Sequence, residues 1–424
     1  MRILIVEENQ IIAKFLSTKI LSLISVDIDI AKSFDEVKEY ITKNNYILTI
    51  LDLQIEKEYE YEINYYILDF LIAKNIPTIA LSSHLEEKNE IELHKRNIID
   101  FILKNRSESI DYLSHLAKRL IKNKDHKVLV VDDSVIYRKE ITKILEQQQL
   151  SVITTKNVQE GVALLRQNSD ISLVVTDYEM PGENGLEFVL SIRKKYNKYQ
   201  LPVIGISSEK ENSILFLKHG VNDFVRKPFF KEELSTRVNN TLDSIENIKQ
   251  LNDFVNTDFL TGAKNRKYFY QEGQKIYTKC KISKEHFVIA TLDIDFFKKI
   301  NDKYGHDVGD IVIKQLATIL NDNVKGQDIV ARVGGEEFCV LLRDIEAKHA
   351  FNFFNNLREK ISNTAIKIDD SSTISFSVSM GIATKTEDSF EEMIKQSDLA
   401  LYSSKNNGRN MVSMDIDTKQ EALL

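Results

Sequence analysis

A chain of 424 residues with two cysteines, four prolines and fourteen glycines is poor in all three types. Cys280 and Cys339 lie far apart with no histidine at ligand spacing. That excludes a disulfide framework and a zinc site, and it reads as two reduced thiols in a cytoplasmic protein. No apolar stretch approaches the ~18 residues a membrane helix needs, and the opening Met1-Arg-Ile-Leu-Ile-Val reads as a strand, so neither a signal peptide nor membrane insertion is expected. Charges of both signs are spread along the chain for a net of −7. With no basic patch, no nucleic acid is expected as a partner. Glycine is missing altogether before Gly161, and proline is missing after Asp258.

What the chain has is length and apolar content. At roughly 150 residues per domain, about three domains are expected, and an apolar fraction of 42% is enough for real cores. The scarce glycines gather in one telling place. Arg332-Val-Gly334-Gly335-Glu336-Glu337-Phe338 turns an apolar run back on itself and sets two carboxylates on the turn, which reads as a β-hairpin. A hairpin tip needs no acid pair, whereas a phosphate site needs close backbone approach and a metal ligand. Taken alone, the segment fits a polar surface turn equally well.

The N-terminal part holds one pattern twice. Ile3-Leu-Ile-Val-Glu7-Glu8 matches Val128-Leu-Val-Val-Asp132-Asp133, Ile50-Leu-Asp52 matches Val175-Thr-Asp177, and the run ending Ser82-Ser83 matches the run ending Ser207-Ser208. All three share one offset, and Asp100-Phe-Ile-Leu-Lys104 against Asp223-Phe224-Val-Arg-Lys227 follows at a slightly shorter one. This implies a duplicated domain of about 120 residues and not a short-period solenoid. Within each copy strands alternate with amphipathic segments, which predicts parallel sheets wrapped by helices with acids at the carboxyl ends of strands. Lys231 to Asn256, free of Pro and Gly, predicts one long helix whose second half is a coiled-coil stalk or a helix lying on its own domain, the stalk being the favoured reading.

In the second copy Asp132, Asp133 and Asp177 converge with Ser207 and Lys227 if the sheet is parallel. Clustered carboxylates repel unless a hard cation lies among them, so Mg²⁺ is expected there. Asp177 would then attack a phosphoryl donor while Lys227 and Ser207 hold the transferred oxygens. This set, with Asp177-Tyr-Glu-Met-Pro-Gly-Glu-Asn-Gly185, resembles the receiver domain of response regulators. The resemblance implies that Asp177 is the phosphoacceptor, that the carbonyl of Glu179 completes the shell of one ion, and that Phe224 rotates with phosphorylation. It also implies a sensor histidine kinase or phosphotransfer protein as partner. The first copy departs from the pattern: Glu7 and Glu8 are each one methylene longer, Asp52 lacks the Met-Pro-Gly loop, and Lys104 is not followed by proline. With Ser82 kept, the fold is expected and the chemistry is not, so residues 1–123 read as a degenerate receiver used for packing or partner binding.

Beyond the long helix, Asp293-Ile-Asp295-Phe296-Phe297-Lys298 ends a buried strand and leads to Asn301 and Gly305-His306-Asp307-Val-Gly309-Asp310. Acids on adjacent strands can hold Mg²⁺ over a triphosphate, and backbone N–H groups near Phe296 and Phe297 would face its phosphates. Asp295 is expected to cap the following helix, His306 to cap or pack, and the two phenylalanines to face core. Together with Asp258-Phe-Leu-Thr-Gly262, Asn265-Arg266 and Lys405-Asn-Asn-Gly-Arg409-Asn410, these segments resemble the GGDEF domain of diguanylate cyclases.

That resemblance implies condensation of two GTP to cyclic di-GMP and pyrophosphate, with two Mg²⁺ (or Mn²⁺) ions per GTP. Asp293, Glu336, Glu337 and the carbonyl of Ile294 would serve the ions, and Glu337 would help deprotonate the ribose 3′-hydroxyl. Asn301 and Asp310 would read guanine, Lys298, Lys405 and Arg409 would neutralise phosphates, and Phe296, Phe297 and Gly335 would offer backbone. A carboxylate also suits guanine by itself, accepting its N1–H and N2–H₂ donors while opposing adenine N1. Where the family often has Arg-x-x-Asp as a product-inhibition site, this chain has Lys325-Gly-Gln-Asp328, and lysine lacks the bidentate fork. Product inhibition is expected to be weak or absent.

The expected architecture is α/β. Two flavodoxin-like receivers, with parallel five-stranded sheets and helices on both faces, span 1–123 and 126–245. A helical stalk follows at 246–257, then an α+β cyclase domain with a mainly antiparallel sheet at 258–414, and a polar tail at 415–424. The whole resembles the PleD-type response regulators, which implies a homodimer for catalysis. Two rival readings stand beside it: a phosphorylation-dependent protein that only senses nucleotide, and a cyclase making mixed cyclic GMP-AMP.

Overall fold

The computed structural model describes residues 1–54, 65–83, 93, 96–104, 107–326, 328–368, 372–384 and 389–414. The polar tail and Gln327 of the Lys-Gly-Gln-Asp segment lie outside them. The chain divides into two compact units, Met1–Ile248 and Lys249–Leu424.

The first unit holds two parallel sheets. Strands β1 (Arg2–Val6), β2 (Asp27–Ala31), β3 (Leu48–Asp52), β4 (Thr78–Ser82) and β5 (Asp100–Leu103) pair in the order β2-β1-β3-β4-β5. Strands β6 (Lys127–Val131), β7 (Ser151–Thr155), β8 (Ile171–Asp177), β9 (Val203–Ser207) and β10 (Asp223–Arg226) repeat that order as β7-β6-β8-β9-β10. Six of the ten, β1, β3, β4, β6, β8 and β9, carry near-continuous apolar runs and are almost entirely buried, as strands covered on both faces must be. This is the doubly wound arrangement in which ligands meet the carboxyl ends of strands. Acids accordingly follow β1 and β6 and end β3 and β8.

The two copies touch through matching helices. Arg119 in the Ser107–Asn123 helix is buried and donates to Asp243 at 2.9 Å and Glu246 at 2.6 Å in the Lys231–Asn256 helix. Asn123 bonds the Gln148 carbonyl and Asn239, and His126 reaches Glu246 at 2.9 Å. Lys122 also pairs with Glu246. The long helix is continuous, as expected. Its Leu234, Val238 and Leu242 enter the core of the second sheet, while Leu251, Phe254 and Val255 are exposed.

The second unit is built on a six-stranded sheet. Its strands are β11 (Lys264–Asn265), β12 (Phe287–Ile294), β13 (Ile329–Arg332), β14 (Glu337–Arg343), β17 (Val378–Ala383) and β18 (Val412–Met414), in the order β11-β13-β14-β12-β17-β18. The short strands β15 (Ile366–Lys367) and β16 (Thr373–Ile374) form a separate pair, and β17 begins only at Val378. The central pairings β13–β14, β14–β12 and β12–β17 are antiparallel, and only the edge strands run parallel. One face packs on the helices His306–Asn323 and Ala347–Ser362, the other on Arg266–Ser283 and Phe390–Asn406. No described helix is long and apolar enough to cross a membrane.

Candidate functional site

In the second copy the expected residues come together. Lys227 Nζ lies 2.8 Å from Asp132 Oδ2 and 2.9 Å from Asp177 Oδ2, above the ring of Tyr137. Burial draws the lysine's pKa down, but its two carboxylate partners overcome that and raise it. Asp177 is pushed up to about 6, first by burial and then by Asp132 and Glu179, against the pull of Lys227. Ligand atoms of Asp132, Asp133 and Asp177 lie within 4.8 Å of one another, which fits a hard divalent cation. Gly185 is required here, because a Cβ would stand 1.9 Å from the Asp177 carbonyl oxygen.

Two further features of this pocket were not expected. Arg138 donates to the carbonyls of Asp132 and Asp133, at 2.6 and 3.0 Å, and so fixes the acid turn. Glu179 directs its side chain to Ser207 Oγ at 2.7 Å, Ser208 Oγ at 2.9 Å and Asn212 Nδ2 at 3.0 Å. Phe224 is half-buried against Phe216.

The first copy collapses on its own lysine. Lys104 Nζ bonds Glu7 at 3.0 Å and Asp52 at 2.7 Å, with both acids buried. Burial, then Asp52, raises the Glu7 carboxyl above its usual range. Glu8 is exposed, and Glu7, Glu8 and Asp52 do not draw together as a metal-sized trio among the described residues. Ser82 is fully buried at the end of β4.

In the second unit Asp293 and Glu337 are direct cross-strand partners on β12 and β14, so their side chains leave the same face. Lys405, from the Phe390–Asn406 helix, pairs with Asp293 Oδ2 at 2.8 Å. Burial raises the Asp293 carboxyl, Lys405 opposes, and Glu336 and Asp295 add to the rise. Gly334 leaves room for the Glu337 carboxylate, whose Oε2 would lie 2.5 Å from a Cβ there. Asp293, Glu336 and Glu337 are not drawn into one tight cluster among the described residues, since Lys405 already compensates Asp293. Arg332 braces the hairpin with two bonds to the Gly335 carbonyl, at 2.9 and 2.7 Å, and one of 3.0 Å to Asp258.

In the Phe297–Tyr304 helix, Asn301 holds a buried Oδ1 with no partner among the described residues, 2.0 Å from where a Gly309 Cβ would stand. Asp310 is exposed one residue further on, and Lys298 and Arg409 are exposed as well. Asp328 accepts from the Arg343 N–H at 3.0 Å and lines a cavity of about 580 Å³ with Lys264, Lys275, Lys279 and Arg343, while Lys325 is exposed.

Three expectations are corrected. Asp295 does not cap the Phe297–Tyr304 helix: Phe296 takes the cap position at φ +56, and the buried Asp295 carboxylate accepts from Ser377 Oγ, Ser379 Oγ and the Asn410 N–H. It binds the Gly408–Asn410 turn to β17. Phe296 does not face core; that left-handed backbone turns it outward, where the Arg409 guanidinium lies 4.6 Å from its ring centre. Phe297 alone packs on the core. His306 is exposed at the first position of its helix and forms no cap, because Gly305 takes the cap position.

Residues 255–411 match the family model of the GGDEF domain, diguanylate cyclase, and residues 128–239 that of the response regulator receiver domain. Among solved structures, a two-component system response regulator/GGDEF domain protein superposes with a TM-score of 0.53 at 30% identity, over 58% of this chain and 99% of that chain. The chain belongs to the response regulator/GGDEF domain proteins. Within this family, response regulator PleD of Caulobacter vibrioides is 29% identical over 298 residues, 68% of this chain and 65% of PleD. Diguanylate cyclase A of Treponema denticola is 36% identical over 173 residues, 40% of this chain and 46% of that protein. The chain thus spans less than two thirds of the length of these curated relatives. In family terms, β6 to β10 carry the receiver's acid pocket, and the β13–β14 turn is the GGDEF hairpin with Glu336 at the variable acid.

Proposed function

We propose that this response regulator condenses two GTP into cyclic di-GMP and two pyrophosphates as a homodimer, and that phosphorylation of Asp177 promotes the reaction. The observation that carries the reading is the facing of Asp293 and Glu337 on adjacent strands beside Lys405, with an Asn301 acceptor that has no partner among the described residues. Asp293, Glu336, Glu337 and the Ile294 carbonyl would hold two Mg²⁺ or Mn²⁺ ions, and Asp132, Asp133, Asp177 and the Glu179 carbonyl one more; bound there, the ions would neutralise phosphate charge and acidify a hydroxyl.

The side chains supply the rest. Asn301 and Asp310 accept from guanine, Lys298, Lys405 and Arg409 meet phosphate oxygens, and the Phe296–Phe297 turn and Gly335 offer close backbone. Glu337 takes the proton of the ribose 3′-hydroxyl. One copy holds one GTP, and each 3′-oxygen must reach the other nucleotide's α-phosphorus, so two copies related by a two-fold axis are needed. In the receiver Asp177 takes a phosphoryl group from a histidine kinase or phosphotransfer protein, and Lys227 and Ser207 bind its oxygens. The exposed Leu251, Phe254 and Val255 of the long helix support association through that segment. The first receiver packs and binds without phosphorylation, and Lys325 leaves product inhibition weak.

Incubating the pure chain with Mg²⁺ and GTP, with and without a small phosphodonor, and weighing the product tests this. Cyclic di-GMP that rises with phosphodonor, and fails to rise in Asp177→Asn, is expected. Nucleotide binding without turnover at high protein concentration would instead favour a sensing protein, and cyclic GMP-AMP formed when ATP is added would favour the mixed cyclase.

A further inference from the structure

Just after the Phe390–Asn406 helix, three residues in a row have positive φ: Gly408 at +123, Arg409 at +65 and Asn410 at +46. Only glycine enters that region freely, so Arg409 and Asn410 stay there because their surroundings hold them. The Asn410 N–H donates to the buried Asp295 Oδ2 at 2.9 Å, and the Asn410 side-chain oxygen accepts from Arg358 Nη1 at 3.0 Å. The Arg409 N–H donates to the Ser404 carbonyl at 3.1 Å. Asp295 is itself fixed by Ser377 Oγ and Ser379 Oγ, each at 2.6 Å. Its neighbour Phe296 meets the same turn: the Arg409 guanidinium lies 4.6 Å from the ring centre, and Lys299 Nζ lies 4.4 Å from it. Phe296 is 50% exposed at φ +56, so the ring adds little to the core while its backbone is disfavoured. Two adjacent residues thus grip one exposed turn, one by its backbone and the other by its guanidinium.

We infer that Asp295 and Phe296 are positioning residues that act on the nucleotide through Arg409. Asp295 sets the backbone of the Gly408–Asn410 turn, and Phe296 carries one face of the guanidinium. A guanidinium stacked on a ring keeps its N–H edge free, so that edge meets the triphosphate already oriented and less side-chain freedom is lost on binding. The backbone that leaves Phe296 serves the same phosphates, so the ring ties two phosphate-facing segments into one cradle. In this role neither side chain touches the nucleotide. The inference rests on the reading of Arg409 as a phosphate cation in the proposed function, and adds to it what holds that cation in place.

The test measures affinity for a non-hydrolysable GTP analogue with Mg²⁺, and thermal melting, on the full-length chain. Phe296→Ala, Phe296→Tyr, Asp295→Ala and Asp295→Asn are each compared with Arg409 present and on an Arg409→Ala background. Arg409→Ala alone should lose about tenfold in affinity. Phe296→Ala should lose about two- to fivefold, and Phe296→Tyr should regain it. Asp295→Ala should lose nearly as much as Arg409→Ala. Asp295→Asn keeps an oxygen for the Asn410 N–H and turns its amide to a serine hydroxyl, so it should stay within about twofold of wild type. On the Arg409→Ala background every one of these losses should vanish, because the group acted upon is gone. Melting reads the structural share, which for Asp295→Ala should be equal in both backgrounds. Affinity losses that persist without Arg409 would overturn the inference, by placing the effect in the fold or at Asp293. Wild-type affinity in Arg409→Ala, or in Phe296→Ala with Arg409 intact, would overturn it too. Phe296→Ala removes only a half-exposed ring, so it decides the matter if Asp295→Ala does not fold. A wild type that binds the analogue yet makes no cyclic di-GMP from GTP would overturn the cyclase reading alone, since the binding cycle judges this inference separately.

Discussion

Gly309→Ala should weaken GTP binding without weakening the fold. A Cβ at this position would lie 2.0 Å from Asn301 Oδ1 and 3.1 Å from the Phe297 ring, whereas real Cβ atoms come no nearer than 3.0 Å. The Asn301 amide must therefore retreat by about 1 Å, and a hydrogen bond of ~2.9 Å lengthened by that much is lost. Losing one base contact and leaving its partner unpaired costs about 1.5–3 kcal/mol, or ~10–100-fold in affinity. Within the His306–Asn323 helix the same change helps, since alanine is favoured over glycine by roughly 0.5–1 kcal/mol in a helix interior. Affinity and stability are thus expected to move in opposite directions. Equilibrium binding of a GTP analogue, with thermal melts, would be measured for wild type, Gly309→Ala, Asn301→Ala and the double variant. If the methyl acts through the amide, the double variant loses no more than Asn301→Ala alone. Additive losses, or an unchanged affinity in Gly309→Ala, would refute the assignment of Asn301 to the base.

Other expectations follow from single contacts. Lys405→Met removes the 2.8 Å partner of Asp293 and a phosphate cation, so the rate of pyrophosphate release should drop ~10–100-fold, and a rate near wild type would count against both roles. Glu246 is held at about 2 by Lys122, Arg119 and His126 against the effect of its own burial. Its folded pKa lies below the ordinary 4.5, so the stability it lends is present above about 4.5 and fades as pH falls toward 2. Amide exchange in the Ser107–Asn123 helix should quicken over that window in wild type and much less in Glu246→Gln. Asp177 is raised from 3.8 to about 6, so in metal-free buffer its ionisation costs the folded state stability as pH rises from 3.8 through 6. Adding Mg²⁺ at pH 8 should restore it, raising the melting temperature of wild type and not of Asp177→Asn; an equal rise in both would place the ion elsewhere.

Much of this molecule is readable from residue order because its sites sit where local pattern and topology agree. Val128–Val131 and Val174–Thr176 can only be buried parallel strands, and such strands deliver Asp132 and Asp177 to the same edge. Arg332 to Leu342 declares a hairpin by its two glycines, and the hairpin sets Glu337 opposite Asp293. What stayed hidden depends on residues distant in sequence or on backbone signs that side chains do not announce. Asp295 looks like a helix cap because caps are local, but its donors come from Ser377, Ser379 and Asn410. Phe296 looks like core because the period of two puts it there, until a left-handed φ turns it out. The Arg332 bonds to Gly335 and Asp258 could have been suspected from Asp258 heading its own turn motif, although nothing local names the partner.

One device recurs in all three acid pockets: an ammonium group lies where phosphoryl chemistry would want it last, on the carboxylates themselves. Lys104 binds Glu7 and Asp52, Lys227 binds Asp132 and Asp177, and Lys405 binds Asp293. Each lysine thereby offsets one of the negative charges in its pocket, and each must leave its acid to reach a phosphoryl oxygen. A cation that relieves the acids and an anion that attracts the lysine thus help one another, which is positive cooperativity written as a swap of partners. The affinity of the second receiver for magnesium should therefore rise when a phosphoryl mimic is present. In the first copy the longer Glu7 and Asp52 close on Lys104, and the lysine serves as a built-in counterion that no chelator can remove.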